Sequence, residues 1–416
     1  MNGQPTEPSF EPMSRLEIVG QLRARLVDVL PDAETLWSTQ KVERHGTDRP
    51  GAKGIFRPRT RSNPFGARGR RSNENPVMFR GHLAMDATQA YALLRERFAT
   101  LGYTPLLRHQ KGYDVVIALP YVFKSQSTPN TDPRQWVPNL ILLLITIMTT
   151  TLMGAIMEQS ELIAENLLIF FQRPRLILTG VPASLTILSI LGVHELGHYF
   201  VARKHGLETT LPYFIPVPFG FGTFGAIIRI RTPWENRKAL FDVGLAGPLA
   251  GLLVAFPLFF VGLLLSPHQR PMPAGMPLGS PILLQWMEKL VYLIRGIPKD
   301  HEIYVDAMTF AAWFGLVVTG FNLLPVGQLD GGHVAYAVLG RWAKVLGIVV
   351  LLALVLLALF RIWDGWYVWA AFIFISGWQH PAPLNALAPL GTKRFLLGVL
   401  VSILMVLLFT PAPFPM

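Results

Sequence analysis

Apolar residues run through this chain in two rhythms. Over residues 14–31 they recur at helical spacing (Leu16, Ile18, Val19, Leu22, Leu26, Val27, Leu30) and stop at Pro31, which predicts a short amphipathic helix. Val77–Leu83 alternates as a strand. Asp86 is placed to cap a helix running to Leu101, with Ala90, Leu93, Leu94 and Phe98 apolar and Gly102 at its end. Tyr103–His109 and Tyr113–Leu119 then read as a hairpin around Gln110-Lys111-Gly112. Residues 76–121 are thus predicted to form a small α/β domain with no catalytic cluster of its own. Before it stand an N-terminal segment, 1–42, and a basic stretch, 43–75, rich in Arg, Gly, Pro and Asn and without periodicity, which reads as a flexible linker.

From about residue 135 the alternation gives way to continuous apolar runs. Val137–Met157, Val243–Gln269, Ala307–Leu329 and Phe395–Met416 contain no Asp, Glu, Lys or Arg. A helix crossing a bilayer needs about 20 mostly apolar residues, so these runs predict membrane spans. The expected helices lie near 137–157, 176–204, 238–265, 305–324, 344–361, 364–379 and 394–411. An amphipathic helix is expected at 277–296 and a short inner helix after Asp330. Thr209–Arg231, with three prolines and three glycines, is unsuited to a spanning helix and is read as a re-entrant β-hairpin. The predicted fold class is an all-α polytopic membrane domain over residues 135–411, with about six to seven spans and a re-entrant hairpin, plus the small N-terminal α/β domain.

Composition sharpens this picture. Of 416 residues, 51% are hydrophobic and 15% charged, against about 25% charged in soluble domains. A soluble enzyme and a disordered chain are excluded. Cysteine is absent, so there is no disulfide, no thiolate nucleophile and no Cys-ligated metal. Residues 1–135 hold 20 Lys/Arg against 13 Asp/Glu of the chain's net +11. In a membrane protein this excess sets topology and attracts an anionic leaflet, a better account than nucleic-acid binding. Arg203, Lys204, Arg229, Arg231, Arg237 and Lys238 place the loop after the second span on the same, cytoplasmic side as the N-terminus.

The chemistry lies in the few charges left inside the apolar part. His194-Glu195-Leu196-Gly197-His198 falls within the second predicted span. Residues i and i+4 share a helix face, so His194 and His198 can bind one metal, and Glu195 beside them can take a proton from water. Ionisable groups at membrane depth are costly, and three in five residues call for a cation. A zinc site that hydrolyses bonds needs a third protein ligand and an open fourth position. Without cysteine, that ligand is an acid or another histidine. Asp330 is the only acid between Asp306 and Asp364 and is followed by Gly331-Gly332. It is a candidate, although capping of the inner helix is the plainer account of it taken alone. His333, one turn further on, is a candidate to support a metal ligand from behind. Gly244, Gly247 and Gly251 read first as ordinary helix-packing positions.

The HELGH stretch inside a span, the later Asn322-x-x-Pro325-x-x-x-x-Asp330-Gly331 pattern, and Phe241–Gly251 (FDVGLAGPLAG) together resemble the site-2 protease family of intramembrane zinc metalloproteases. The resemblance covers residues 135–410 and is nearest to bacterial and plastid-type members without a PDZ domain. It implies one Zn2+ per chain held by His194, His198 and Asp330. Glu195 would be the general base and then the proton donor, and Asn322 would position the substrate backbone or stabilise the oxyanion. It implies transmembrane proteins as substrates, the lipid bilayer as the working environment, and no nucleic-acid partner. A bacterial plasma membrane is expected, with the N-terminal domain and the opening of the site facing the cytoplasm. Two other readings stand beside it: a membrane-anchored zincin with Glu235 as third ligand, and a non-enzymatic metal transporter or scaffold.

Overall fold

The computed structural model describes residues 15–36, 76–120, 122, 136–165, 169–269, 277–377 and 380–415. The basic stretch 43–75 lies outside them. The chain divides into two units, one of residues 1–124 with 383–389 and one of 125–382 with 390–416.

In the first unit, helix α1 (Arg15–Ala24) and strand β1 (Glu34–Leu36) join β2 (Val77–Gly81), α2 (Ala87–Ala99), β3 (Thr104–Gln110) and β4 (Tyr113–Leu119). The four strands form one antiparallel sheet in the order β1-β2-β4-β3. Two features set this topology locally. The Asp86 carboxylate accepts the Thr88 N–H at 2.8 Å and starts α2. Lys111 and Gly112 both take positive φ between the paired Gln110 and Tyr113, which makes a two-residue hairpin turn whose twist matches the strands. Leu22, Leu26, Leu30, Phe79, Leu94, Phe98, Leu107 and Val116 are all fully buried in one core. The N-terminal segment read as a separate amphipathic helix therefore belongs to the same core, because its apolar face closes over the sheet.

The second unit is mainly helical. Its longer helices are α3 (Val137–Glu158), α4 (Val181–Lys204), α5 (Arg237–Leu265), α6 (Ile282–Arg295), α7 (Ala307–Asn322), α8 (Asp330–Leu339), α9 (Ala343–Leu359), α10 (Gly365–Ser376) and α11 (Thr392–Leu408). Among the described residues, four stretches are long and apolar enough to cross a membrane: Val137–Glu158, Pro174–Lys204, Arg237–Leu265 and Asp330–Leu359. Ala307–Asn322 and Gly365–Ile375 are shorter apolar helices. The second long stretch opens as a tight 3-10 turn, Pro174–Gly180, before the α-helix begins at Val181. Pro182 suits that start, because the first helical N–H groups have no partner to lose.

The core of this unit gathers Phe241, Leu252 and Phe259 of α5 with Trp313, Leu316 and Phe321 of α7 and Trp366 of α10. Arg394 of α11 forms a two-pronged ion pair with Asp242 of α5, at 2.7 and 2.8 Å, and His205 reaches the same carboxylate at 3.0 Å. Between α4 and α5, β5 (Tyr213–Pro216) and β6 (Thr223–Ile227) form the hairpin expected over 209–231. It is tied to α3: the Asn139 amide donates to the Leu211 and Pro212 carbonyls at 2.9 Å, and Thr149 Oγ1 donates to the Gly222 carbonyl at 2.7 Å.

Candidate metal centre

The site is built by α4, α5 and the first turn of α8. His194 and His198 are one turn apart on α4, and both are buried. Their Nε2 atoms are 3.2 Å apart. The Asp330 carboxylate meets both, with Oδ2 3.2 Å from His194 Nε2 and Oδ1 3.3 Å from His198 Nε2. Three contacts of 3.2–3.3 Å thus link the two imidazole nitrogens and the two oxygens of one carboxylate. Ligands held tetrahedrally at about 2.0–2.1 Å from zinc are about 3.3 Å from one another. Two histidines and one carboxylate at this spacing fit one zinc ion with a fourth position left over.

The ring of His198 is fixed by the backbone. Its Nδ1 is 2.7 Å from the Val243 carbonyl oxygen, which can only accept, so Nδ1 carries the proton and Nε2 presents its lone pair. Glu195 is buried beside the two histidines, and the ligand-type atoms of His194, Glu195 and His198 lie within 4.8 Å of one another. Its Oε2 accepts the N–H of Ile228, the residue after β6, at 2.7 Å. The hairpin thus holds the carboxylate that the sequence marks as the base.

Glycines on α5 decide how close the helices come. Gly244, Gly247 and Gly251 share one face at spacings of three and four. A Cβ on Gly247 would strike the His198 ring, one on Gly251 would stand 3.2 Å from His194 Cβ, and one on Gly244 would be 2.7 Å from His333 Cβ. Each glycine seats one imidazole, so these positions do more than pack helices. Asp330 enters by a similar close approach. α7 ends at Asn322, the chain turns through Leu323–Leu329 with Gly327 at φ +59°, and Asp330 becomes the first residue of α8. A side chain on Gly331 would collide with the Leu323 carbonyl. The N-cap of α8 is Leu329, so Asp330 does not cap its helix, and its carboxylate faces the histidines instead.

Of the residues read from the sequence, His194, Glu195, His198 and Asp330 come together. Glu235 lies just before α5, and Asp330 holds the place opposite the two histidines. Asn322 is half-buried at the end of α7, and no hydrogen bond among the described residues joins its amide to His194, His198 or Asp330. Sequence reading passed over the Val243 carbonyl and the Ile228 N–H, which are backbone groups and carry no residue signature. It also gave no role to His380, whose Nε2 is 2.5 Å from Nδ1 of His333 on α8. Trp234 and Tyr336 flank this pair.

Comparison with known proteins agrees with this geometry. Residues 182–360 match the sequence model of Peptidase family M50. A protein named probable zinc metalloprotease EGY2, chloroplastic, from Arabidopsis thaliana is 30% identical over 352 residues, covering 82% of this chain and 61% of that protein. Its counterpart from Oryza sativa subsp. indica is 28% identical over 352 residues, covering 82% and 62%. Probable zinc metalloprotease EGY1, chloroplastic, from Arabidopsis thaliana is 31% identical over 313 residues, covering 69% and 55%. The chain spans about three-fifths of the length of the first of these relatives. All three names carry the word chloroplastic, and they lend no support to a bacterial plasma membrane.

Proposed function

The chain belongs to peptidase family M50, the site-2 protease family of zinc metalloproteases, and from that premise we propose that it is an intramembrane zinc metalloendopeptidase. Its substrates are membrane proteins cut within or near a transmembrane segment. The observation that carries this reading is the cluster of His194 Nε2, His198 Nε2 and the Asp330 carboxylate, with Glu195 beside it, on helices long and apolar enough to span a bilayer.

His194, His198 and Asp330 hold the zinc. Zinc in such a site polarises a carbonyl and lowers the pKa of water to about 7. The chain's own residues do the rest. Val243 keeps His198 in the tautomer that ligates. Glu195 takes a proton from the attacking water as the C–O bond forms at the scissile carbonyl. It then delivers that proton to the amide nitrogen as the C–N bond breaks. The Ile228 N–H keeps the carboxylate aimed, and Asn322 steadies the substrate backbone.

A helical substrate has its backbone amides satisfied internally and must unwind before attack. The β5–β6 hairpin supplies a strand against which an unwound segment can pair, since backbone hydrogen bonds then replace those lost on unwinding. Phe219, Phe224 and Ile227 stand exposed on it. In this reading the hairpin is re-entrant, the shorter helices bring the spans to six or seven, and the site opens toward the side that carries the basic loops. The test is Glu195→Gln in purified protein with a test substrate bearing one transmembrane segment. Cleavage should be lost with zinc retained. Cleavage at the wild-type rate would overturn the proposal.

A further inference from the structure

The sheet of the first unit ends at β3, and an edge strand offers unpaired N–H and C=O groups. Here that edge is filled by a segment far away in sequence. Leu107 of β3 donates its N–H to the Leu384 carbonyl at 2.7 Å and accepts the Ala386 N–H at 3.1 Å, a parallel bridge centred on Asn385. Leu384 enters the core of the unit, and Leu387 packs on it. Asn385 is 1% exposed, and each polar atom of its amide is used. Its Nδ2 donates to the Ala87 carbonyl at the start of α2, and its Oδ1 accepts the N–H groups of Leu387 and Ala388.

Such a seat has the parts of a peptide-recognition site. Main-chain bonds to an edge strand give affinity, and pockets for individual side chains give selectivity. The Leu384 pocket and the buried Asn385 amide supply that selectivity, because a buried amide without partners is costly and one with all partners is specific. Pro383 and Pro389 flank the segment. The pairing stops at this single bridge: Pro105 of β3 has no N–H to extend it backward, and the Ala388 N–H, which would extend it forward, is taken by Asn385 Oδ1. A contact this short is suited to exchange.

We propose that the β3 edge is a recognition site for an extended Leu-Asn-x-Leu peptide, filled in cis by residues 383–389, and that filling or emptying it regulates the protease. The proposal rests on the metalloprotease reading for its regulatory half alone. The physical link is covalent. The segment begins three residues after His380, which bonds His333, and His333 is one turn past Asp330 on α8. Pro381, Ala382 and Pro383 join them, and proline-bounded links stay extended and take up little slack. A partner protein presenting the same Leu-Asn-x-Leu pattern would displace the segment and release this tether.

The chain contains no cysteine, so Ala388→Cys in the full-length protein introduces a single thiol at a site that is 1% exposed. Its maleimide labelling should be at least tenfold slower than in denatured protein. It should speed up when Asn385→Ala is added, or when the heptapeptide Pro-Leu-Asn-Ala-Leu-Ala-Pro is supplied in trans. The cis segment acts at an effective concentration of about millimolar, so the free peptide is titrated through that range. The same peptide with Asn replaced by Ala should have no effect. Turnover of a membrane substrate should change several-fold over the same titration. Hydrogen exchange of β3 in the unsubstituted chain gives the same readout if Ala388→Cys does not fold. Fast labelling without peptide would overturn the binding site, and displacement with unchanged turnover would overturn the regulation. Labelling is repeated with Glu195→Gln, so failure of the protease reading leaves the binding result standing.

Discussion

The Nδ1–H of His198 donates to the carbonyl of Val243 at 2.7 Å, from one helix to the next. The bond turns Nε2 toward Asp330 and His194, and it exists because Gly247 lets the imidazole lie against α5. Metal-ligating histidines depend on such outer bonds for tautomer and orientation, and losing them typically costs about 10–100-fold in metal affinity.

Gly247→Ala should therefore weaken zinc binding by about that factor without touching a ligand. A Cβ at 247 would strike the His198 ring, whereas one on Gly192 of α4 would meet only Phe214 Cζ at 3.6 Å. Zinc content after dialysis, measured by atomic absorption, separates the two variants. Gly192→Ala should keep its metal. Equal retention in both would show that the glycine face does not seat the ligand.

The third ligand is tested in the same way. Asp330→Ala removes the carboxylate that meets both histidines, so zinc should be lost at concentrations where wild type stays loaded. Glu235→Ala should keep zinc at one per chain. The reverse pattern would restore Glu235 as the ligand and undo the assignment of Asp330.

Ile228 holds Glu195 by a backbone N–H, which only a change of backbone chemistry can remove. Ile228→Pro deletes that donor. Turnover should fall by about tenfold, in proportion to one lost hydrogen bond to a charged group, while zinc content stays unchanged. Ile228→Val keeps the N–H and should behave as wild type. A drop of the same size in Ile228→Val would mean that the side chain, and not the N–H, matters there.

Much of this was legible in the sequence. The spacing of His194 and His198 encodes a shared helix face, and the isolation of Asp330 in an uncharged run marks a carboxylate in need of a cation. The Asp86 cap and the Lys111-Gly112 turn were readable because short-range geometry decides them. Other features were hidden for physical reasons. Val243 and Ile228 act through backbone atoms, which any residue supplies. The 383–389 strand pairs with Leu107 across almost three hundred residues, and no local pattern announces a partner so distant. Leu16–Leu30 showed helical periodicity, but periodicity does not say which surface its apolar face will cover.

The N-terminal unit offers a pH test. His82 Nδ1 lies 2.7 Å from an Asp32 carboxylate oxygen, and the His82 N–H donates to the other oxygen at 2.7 Å. The neighbouring carboxylate raises the imidazole pKa above 6.5, chiefly through the hydrogen bond to its charged form. The backbone N–H of His82, and then its ring, lower the Asp32 pKa below 3.8. The signs follow from linkage. The histidine's contribution is fully present below pH 6.5 and is lost as pH rises through its raised value in the folded state. The aspartate's is fully present above pH 3.8 and is lost as pH falls through its lowered value. The contact should thus be strongest between about pH 4 and 6.5 and fade on both sides. The imidazole resonance of His82, assigned in histidine-labelled full-length protein by its disappearance in His82→Gln, should titrate above the ordinary histidine value. In Asp32→Asn it should fall toward that value. A midpoint that does not move on this substitution would show that the two side chains do not share a proton-dependent bond in solution.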